Sequence, residues 1–382
     1  MTILRSLLPI SIIFLFIFLS LFILTLLSSE QSPEGAINAD KNVTPRPLVF
    51  AHYYGWYDIN NWALATNDAF LGLYKSLDNN IIRQHIIWAK RAGLTALSVS
   101  WAGQSSLADK TIKDYLAPAL DKETISGSDF FILVEMADMV GTTQGQVINF
   151  SEEYSPGVTR GQKFLDEMNY LADMYFDRRS YYKINNRPVV FFYIVRDLIN
   201  HQYYFDQLKA NMQIRGYNLY LIADVVYWQD PVTGIVVPGA QPLNWTFLKN
   251  HFQGITGYNM YNPSRNLNKF LDDVKVQWRK FKNQAVAFEL RFFPFVLPSY
   301  DDRNLRGDSR PILTRNDGEF YSRYWAMVYE FVDIDVPIVF VTSFNEWYEG
   351  TEIEPSTQYS TQYIDLTKSM AEKFVEIRRS IK

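Results

Sequence analysis

PIVFVT, residues 337–342, runs without a break into SFNEWYEGTEIEPS, residues 343–356. A short run of Ile, Val and Phe that is apolar on both faces belongs in a parallel sheet covered by helices. Seven more runs share that character: Pro47–His52 (PLVFAH), Leu94–Ser100 (LTALSVS), Phe130–Glu135 (FFILVE), Pro188–Tyr193 (PVVFFY), Asn218–Asp224 (NLYLIAD), Gly254–Asn259 (GITGYN) and Ala285–Leu290 (AVAFEL). Helical spacing falls between them, over Asp78–Ala92 behind an Asp cap, Gln162–Arg178, Tyr203–Ile214, Leu267–Phe281, Glu319–Phe331 and Ser356–Arg379. Eight buried strands alternating with helices predict an α/β fold, a (β/α)8 barrel of the TIM type, rather than an open doubly wound sheet. No GxGxxG or GxxxxGK[ST] follows any of the strands, which removes the usual dinucleotide and P-loop sites.

Functional residues of such a barrel lie just past the C-terminal ends of its strands. Those positions hold His52-Tyr53-Tyr54, Trp101, Glu135, Tyr193, Asp224, Tyr258-Asn259, Glu289 with Arg291, and Asn345-Glu346. Loop residues are polar in general, and this chain is rich in Tyr. Yet several strands end in a carboxylate directly after apolar residues, and a charge there is costly unless it faces a polar cavity.

Composition narrows the chemistry. The 382 residues are 48% apolar and 20% charged, with 18 Gly and 16 Pro, which excludes a disordered, collagen-like or coiled-coil protein. With 37 basic against 41 acidic residues, no surplus of positive charge recommends a nucleic-acid partner. The absence of Cys removes disulfides, thiol nucleophiles and thiolate zinc sites. His52, His85, His201 and His251 form no HExxH or HxH pair, so neither a metal nor a cofactor is expected. The aromatic content, 27 Phe, 25 Tyr and 9 Trp, suits a core and also a wet groove with flat apolar faces and hydroxyls. Trp56, Trp62, Trp88, Trp228, Trp245, Trp278 and Trp325 read individually as core or structural.

Residues 6–29 carry no charge, and Leu7–Leu27 is 21 residues of nearly unbroken Leu, Ile and Phe behind Arg5. At 1.5 Å per residue that spans about 30 Å, the thickness of a bilayer core. Residues 1–28 therefore read as a transmembrane signal anchor, with a cleaved signal peptide as the alternative and Ser28-Ser29 a poor cleavage site. Residues 29–45 read as a polar stalk, and 46–382 as the barrel domain. Arg5 before the apolar run and Glu30 and Glu34 after it orient the barrel toward the extracytoplasmic or lumenal side, membrane-anchored, or secreted if the segment is cleaved. Sequons at Asn42, Asn149 and Asn244 fit export but are expected by chance at this length.

The densest chemistry is again the run after residue 342. Glu346 and Glu349, three apart, can point into one space; Asn345 can orient one of them, Trp347 wall the site, and Gly350 permit a reversal. Glycoside hydrolysis needs two carboxyls, one to protonate the leaving oxygen and one to assist at the sugar carbon. A solvated acidic loop is the competing reading, because Glu346, Glu349, Glu352 and Glu354 crowd into nine residues. Calcium binding is a third, although these carboxylates alternate with Trp, Tyr and Ile rather than Asn, Asp and Gly.

SFNEWYEGTEIEPS resembles the signature of glycoside hydrolase family 99, the endo-α-mannosidases and endo-α-mannanases, typically S-[FW]-N-E-W-H-E-G-T-x-I-E. Further stretches agree in order: Phe50–Tyr57 (FAHYYGWY) with the family's FYYxWY, Tyr74–Asp78 (YKSLD) with Y-x-S-x-D, Ala92-Gly93 and Ser100–Gly103 (SWAG) with AG and SWWG, and Arg315–Tyr321 (RNDGEFY) with R-x-D-G-x-x-Y. The resemblance implies a metal-free (β/α)8 barrel cleaving within α-mannose-containing glycans with retention of configuration. By motif position, Glu346 is the implied base on the sugar 2-hydroxyl, giving a 1,2-anhydro intermediate, and Glu349 the implied general acid and then base. Tyr53, Trp101 and Glu135 match positions lining the −1 subsite. Tyr54, Tyr193, Asp224, Tyr258, Asn259, Asn345, Trp347 and Tyr348 complete the expected substrate-binding set. Departures are Tyr348 for the usual His, Ala102 for the second Trp of SWWG, and Lys75 for an acidic residue, the pattern of a distant member. A catalytically inactive glycan-binding or cell-surface polysaccharide assembly protein is the alternative from another class; it would need the aromatic groove but not both glutamates.

Overall fold

The computed structural model describes residues 47–122 and 129–381. The parallel strands are β1 (Leu48–Tyr53), β2 (Ala96–Trp101), β3 (Asp129–Val134), β4 (Arg187–Phe192), β5 (Tyr220–Asp224), β6 (Gly254–Thr256), β7 (Arg291–Phe292), β8 (Phe295–Val296) and β9 (Ile338–Val341). Around the sheet they run β7-β6-β5-β4-β3-β2-β1-β9-β8. The two ends of that order are halves of one stretch of chain, so the sheet curls back on itself. Between the halves, Phe293 N–H still donates to Ile255 O (2.9 Å) and Phe340 N–H to Pro294 O (3.0 Å). The result is a ring of eight staves, the seventh of them β7 with β8.

That seventh stave corrects the sequence reading of Ala285–Leu290. Those residues are the end of a helix (Phe270–Ala287) and the turn after it. Pro294, which cannot donate to a ladder, disguises the true stave and splits it. Glu289, taken as a strand-end position, lies on the opposite face of the barrel from the mouth, with its side chain 78% exposed against Lys249.

A helix follows each stave: α1 (Asn79–Arg91), α2 (contiguous segments Leu107–Thr111, Ile112–Leu116 as a π turn, and Ala117–Lys122), α3 (Arg160–Met174), α4 (Gln202–Ile214), α5 (Trp245–His251), α6 (Phe270–Ala287), α7 (Glu319–Phe331) and α8 (Gln362–Ile381). Asp78 caps α1 as its sequence predicts, accepting from Asn80 N–H. The expectations omit α2 and α5. Pro118 reads as a breaker but follows just after the π turn, where the i→i−4 ladder is already interrupted. The helix α5 is only seven residues long.

Rings fill the barrel. Phe50 packs edge-on against Phe131 and Phe340, and the buried His52 ring stacks on Phe340 and meets Phe191 edge-on. Burial lowers the His52 imidazole to about 3, so it sits in this core uncharged. Above it, 5.4 Å away, lies the ring of Tyr258, which begins the mouth.

Among the described residues no helix is long and apolar enough to cross a membrane. The expected anchor 1–28, the stalk 29–45 and the Asn42 sequon lie outside the described residues. Asn244 is exposed and caps α5 through its side-chain oxygen, while half-buried Asn149 bonds to Ser151 N–H and Asn200.

Candidate active site

The loop after β9 leaves the barrel and folds back on its own start. Ser343 N–H donates to Thr351 O (2.8 Å), Ile353 N–H to Ser343 O (3.0 Å) and Glu354 N–H to Phe344 O (2.8 Å). Gly350 makes the reversal at φ 61°, where a Cβ would also stand 2.9 Å from Thr66 Oγ1. Asn345 is clamped at its side-chain amide and its backbone carbonyl. Its Oδ1 accepts from Tyr54 N–H (2.7 Å), its Nδ2 donates to Tyr54 O (2.9 Å) and Tyr74 Oη (3.3 Å), and its carbonyl accepts from Tyr57 O–H (2.8 Å). Glu346 N–H donates to Ser343 Oγ (2.7 Å). The backbone on both sides of Glu346 is thereby fixed.

The loop is not solvated, and among the described residues no group of three or more His, Asp or Glu side chains is placed to hold a metal ion. Glu346, Glu349, Glu352 and Glu354 are 4%, 9%, 1% and 2% exposed. Glu352 pairs with Arg315 Nη2 (2.5 Å) and accepts from Asn67 (2.8 Å). Glu354 accepts from Tyr74 O–H (2.8 Å) and Trp347 Nε1 (3.1 Å) and lies 3.0 Å from His85 Nε2. Only Glu346 and Glu349 reach the cavity at the mouth, which holds about 190 Å³.

Their surroundings differ. Glu349 Oε2 accepts from Tyr258 O–H (3.0 Å), and Oε1 accepts from Tyr300 O–H (2.8 Å) and Arg306 Nη1 (3.2 Å). Tyr258 in turn accepts from Tyr54 O–H (2.9 Å), so its own proton points at Glu349. Glu346 has one contact, Oε1 to Tyr348 N–H (3.1 Å). Burial first, and Glu349 second, push the Glu346 carboxyl well above the usual range. Glu135 stands across the cavity, accepting from Ser100 O–H (2.8 Å) and pushed by burial up to about 8. Tyr54, Tyr193 and Tyr258 are raised well above 10, mainly by burial, so they remain hydroxyl donors.

Of the expected substrate-binding residues, Tyr54, Glu135, Tyr193, Tyr258 and Tyr348 line the cavity with the two glutamates. Asp224 and Asn259 line an adjoining chamber of about 230 Å³ that shares Tyr193, Tyr258, Arg306 and Glu349 with the first. Four residues are not brought to either chamber. Tyr53 is fully buried with its hydroxyl on His85 Nδ1 (3.0 Å), and Trp101 points its N–H at Asp109 (3.0 Å). Trp347 is buried against Trp62 with its N–H on Glu354, and Asn345 acts through the backbone clamp.

Sequence reasoning missed Trp56, Gln144, Arg196, Tyr300, Arg306 and Arg310, which line one chamber or the other. Trp56, read as structural, is a cavity wall packed on Tyr54. Tyr300 and Arg306 follow the true seventh stave, so reading Arg291–Val296 as a strand would have found them. Thr342 Oγ1 donates to Tyr258 O (2.5 Å), tying β9 to the segment that carries this tyrosine.

A barrel whose mouth holds paired buried carboxylates among tyrosine hydroxyls has the layout of a glycoside hydrolase. Residues 58–381 match the model of glycosyl hydrolase family 99, and the chain belongs to that family. It is 23% identical over 326 residues to a mouse glycoprotein endo-alpha-1,2-mannosidase-like protein, covering 81% of this chain and 63% of that protein. It is also 23% identical over 322 residues to the rat glycoprotein endo-alpha-1,2-mannosidase, covering 81% and 61%. The chain thus spans under two thirds of the length of these curated relatives. The GH99 endo-alpha-mannosidase from Bacteroides thetaiotaomicron superposes with a TM-score of 0.64 at 20% identity, covering 87% of this chain and 98% of that one. A glycoside hydrolase-like protein superposes with a TM-score of 0.67 at 19% identity, covering 89% and 97%. Both likenesses are of fold.

Proposed function

We propose that this chain is an endo-acting glycoside hydrolase that cleaves α-mannosidic linkages inside mannose-containing glycans with retention of configuration. The observation that carries the reading is the pair itself, two buried carboxyls three residues apart on one cavity wall; which of them is base and which acid follows motif position. Glu346 removes the proton of the sugar 2-hydroxyl, whose oxygen attacks C1. The bond from C1 to the leaving oxygen breaks, and that oxygen takes the proton of Glu349. The 1,2-anhydro sugar is then opened by water at C1, with Glu349 taking the water proton and Glu346 returning its proton to O2. Two inversions give retention, and no metal or cofactor enters the balance.

Glu135, Tyr54, Tyr193, Tyr258 and Tyr348 surround the sugar being attacked, and Trp56 offers it a flat face. The adjoining chamber takes a neighbouring sugar, with Asp224, Asn259 and arginines alternating acceptors and donors. Two adjoining chambers that share Glu349 leave room for sugars beyond the one attacked, which supports endo action. In the same reading, residues 1–28 anchor the barrel to a membrane on its extracytoplasmic or lumenal side.

The test is to incubate the full-length chain with α-mannan and with glucosylated high-mannose oligosaccharide, sizing products and following their anomeric form by NMR. Internal fragments of retained α-configuration are expected. Glu346→Gln and Glu349→Gln are each expected to lower turnover about 10²–10⁴-fold while glycan binding persists. Equal rates in all three proteins would refute the assignment. No cleavage with retention on a mannan column would favour a binding protein instead.

A further inference from the structure

We infer that Arg306, braced by the buried Asp302, is a positioning residue for Glu349 that stabilises the carboxylate left when Glu349 gives up its proton. The inference rests on Glu346 and Glu349 being the reacting pair. It goes further in assigning a role to a segment outside the sequence motifs, the stretch between Tyr300 and Leu313.

The segment is built to hold one guanidinium in place. Its ends are pinned by Tyr300 N–H to Leu313 O (3.0 Å) and Leu313 N–H to Tyr300 O (2.9 Å). At its centre Asp302 is 1% exposed overall and its carboxylate is fully covered. One of its oxygens accepts from Arg310 Nε (2.7 Å) and the other from Arg306 Nη1 (3.0 Å). The same Nη1 reaches Glu349 Oε1 (3.2 Å) and Tyr300 Oη (3.3 Å). Arg306 therefore bridges a carboxylate that cannot leave and one that faces the cavity. Without Asp302, an arginine side chain 40% exposed would gain its hydration by swinging outward.

An arginine only donates, so its contact with Glu349 suits the carboxylate and not the acid. Tyr258 and Tyr300 also direct their protons at Glu349. Around the pair, the facing groups are Tyr54 after β1, Glu135 after β3, Tyr193 after β4, Tyr258 after β6, Tyr300 and Arg306 after β8, and Glu346 on the loop of Glu349 itself. Asp224, Arg196 and Arg310 line the far side of the adjoining chamber. Among these, Arg306 is the cation that touches the pair. The three donors stand ready to hold the carboxylate that forms as the Glu349 proton passes to the leaving oxygen.

A cation beside two coupled carboxyls eases every proton loss from the pair, so removing it moves both limbs of a bell-shaped rate profile to higher pH. A side chain that merely supported the fold would lower the rate at every pH and leave the limbs in place. The experiment compares full-length wild type, Arg306→Lys and Arg306→Gln on α-mannan from pH 4 to 9, and in parallel follows Glu349 by NMR in protein labelled with ¹³C at the glutamate carboxyl, its signal identified by its loss in Glu349→Gln. Arg306→Gln is expected to move both limbs and the Glu349 titration upward by about half a pH unit or more, and to lower kcat about tenfold. Arg306→Lys, which keeps the charge, is expected to restore most of the shift. Unmoved limbs together with an unmoved titration would overturn the inference. Should wild type release nothing from α-mannan, the proposed function fails by itself, and the titration still decides whether Arg306 governs Glu349.

Discussion

One fourteen-residue loop holds two pairs of glutamates that share residue type and burial and differ in their partners. Glu352 and Glu354 are the structural pair: Arg315 and Asn67 both bind one oxygen of the first, whose other oxygen is buried without a partner, and Tyr74, Trp347 and His85 take both oxygens of the second. Glu346 and Glu349 sit nearer the mouth with cavity on one side, Glu349 held by three donors and Glu346 by one. A buried carboxylate is affordable when donors surround it, and it then serves the fold. Glu346, buried with one donor beside a second carboxyl, costs stability, the kind of cost a reaction site sustains. The two halves of the loop are thus an internal control for each other.

The largest expected effect separates those halves by stability. Glu354→Gln keeps the shape but offers one acceptor oxygen where Tyr74, Trp347 and His85 converge. Losing that arrangement is expected to cost about 2–4 kcal/mol and lower Tm by roughly 5–10 °C in calorimetry. Glu346→Gln removes one of two coupled buried carboxyls, and its Tm is expected to hold or rise while turnover collapses. If the stability loss fell on Glu346→Gln and spared Glu354→Gln, the division of the loop into a structural and a reactive half would be broken.

That division was only partly legible in the sequence. The apolar runs ending in carboxylates pointed to the barrel and to the mouth because strand burial and strand-end polarity are local properties. Glu346 and Glu349 were singled out by spacing and by family resemblance. What separates them from Glu352 and Glu354 is which partners arrive from Tyr74, His85 and Arg315, 37 to 280 residues away in sequence, and no local pattern encodes that. Tyr53 and Trp101 were misplaced for a related reason. A position at a strand end fixes height in the barrel, whereas inward or outward direction depends on register. Tyr300 and Arg306 were invisible because Pro294 hid the stave that leads to them.

Glu135 allows the comparison to be sharpened with pH. It is a buried carboxyl with one donor, Ser100, and an oxygen without any partner, and its folded value of about 8 exceeds the ordinary 4.5. Between those values the folded chain binds one more proton than the unfolded chain at this site, so stability falls as pH rises from 4.5 to 8. The burden is of the order of a few kcal/mol once pH passes 8. Glu346 contributes in the same sense, so the informative quantity is the difference in Tm between wild type and Glu135→Gln. That difference is expected to be small near pH 5 and to grow in favour of the variant by several degrees at pH 9. A difference independent of pH would place Glu135 with the fully bonded Glu354 instead.

The smallest effect distinguishes two neighbours at the end of β1. Tyr53 and Tyr54 are adjacent, so their side chains leave the strand on opposite sides. The Tyr53 hydroxyl meets His85 Nδ1 and thereby joins the Glu354 network behind the loop, while the Tyr54 hydroxyl donates to Tyr258, which donates to Glu349. Tyr53→Phe removes one buried hydrogen bond and is expected to cost about 1 kcal/mol of stability with kcat and KM on α-mannan unchanged. Tyr54→Phe costs a similar amount of stability, but Tyr258 loses the donor that fixes the direction of its own proton. Its hydroxyl is then free to turn from Glu349, and kcat is expected to fall a few-fold. Should Tyr53→Phe change kcat as much as Tyr54→Phe, the saturated network would reach into the chemistry, and the line between holding the loop and running the reaction would have to be drawn nearer to His85.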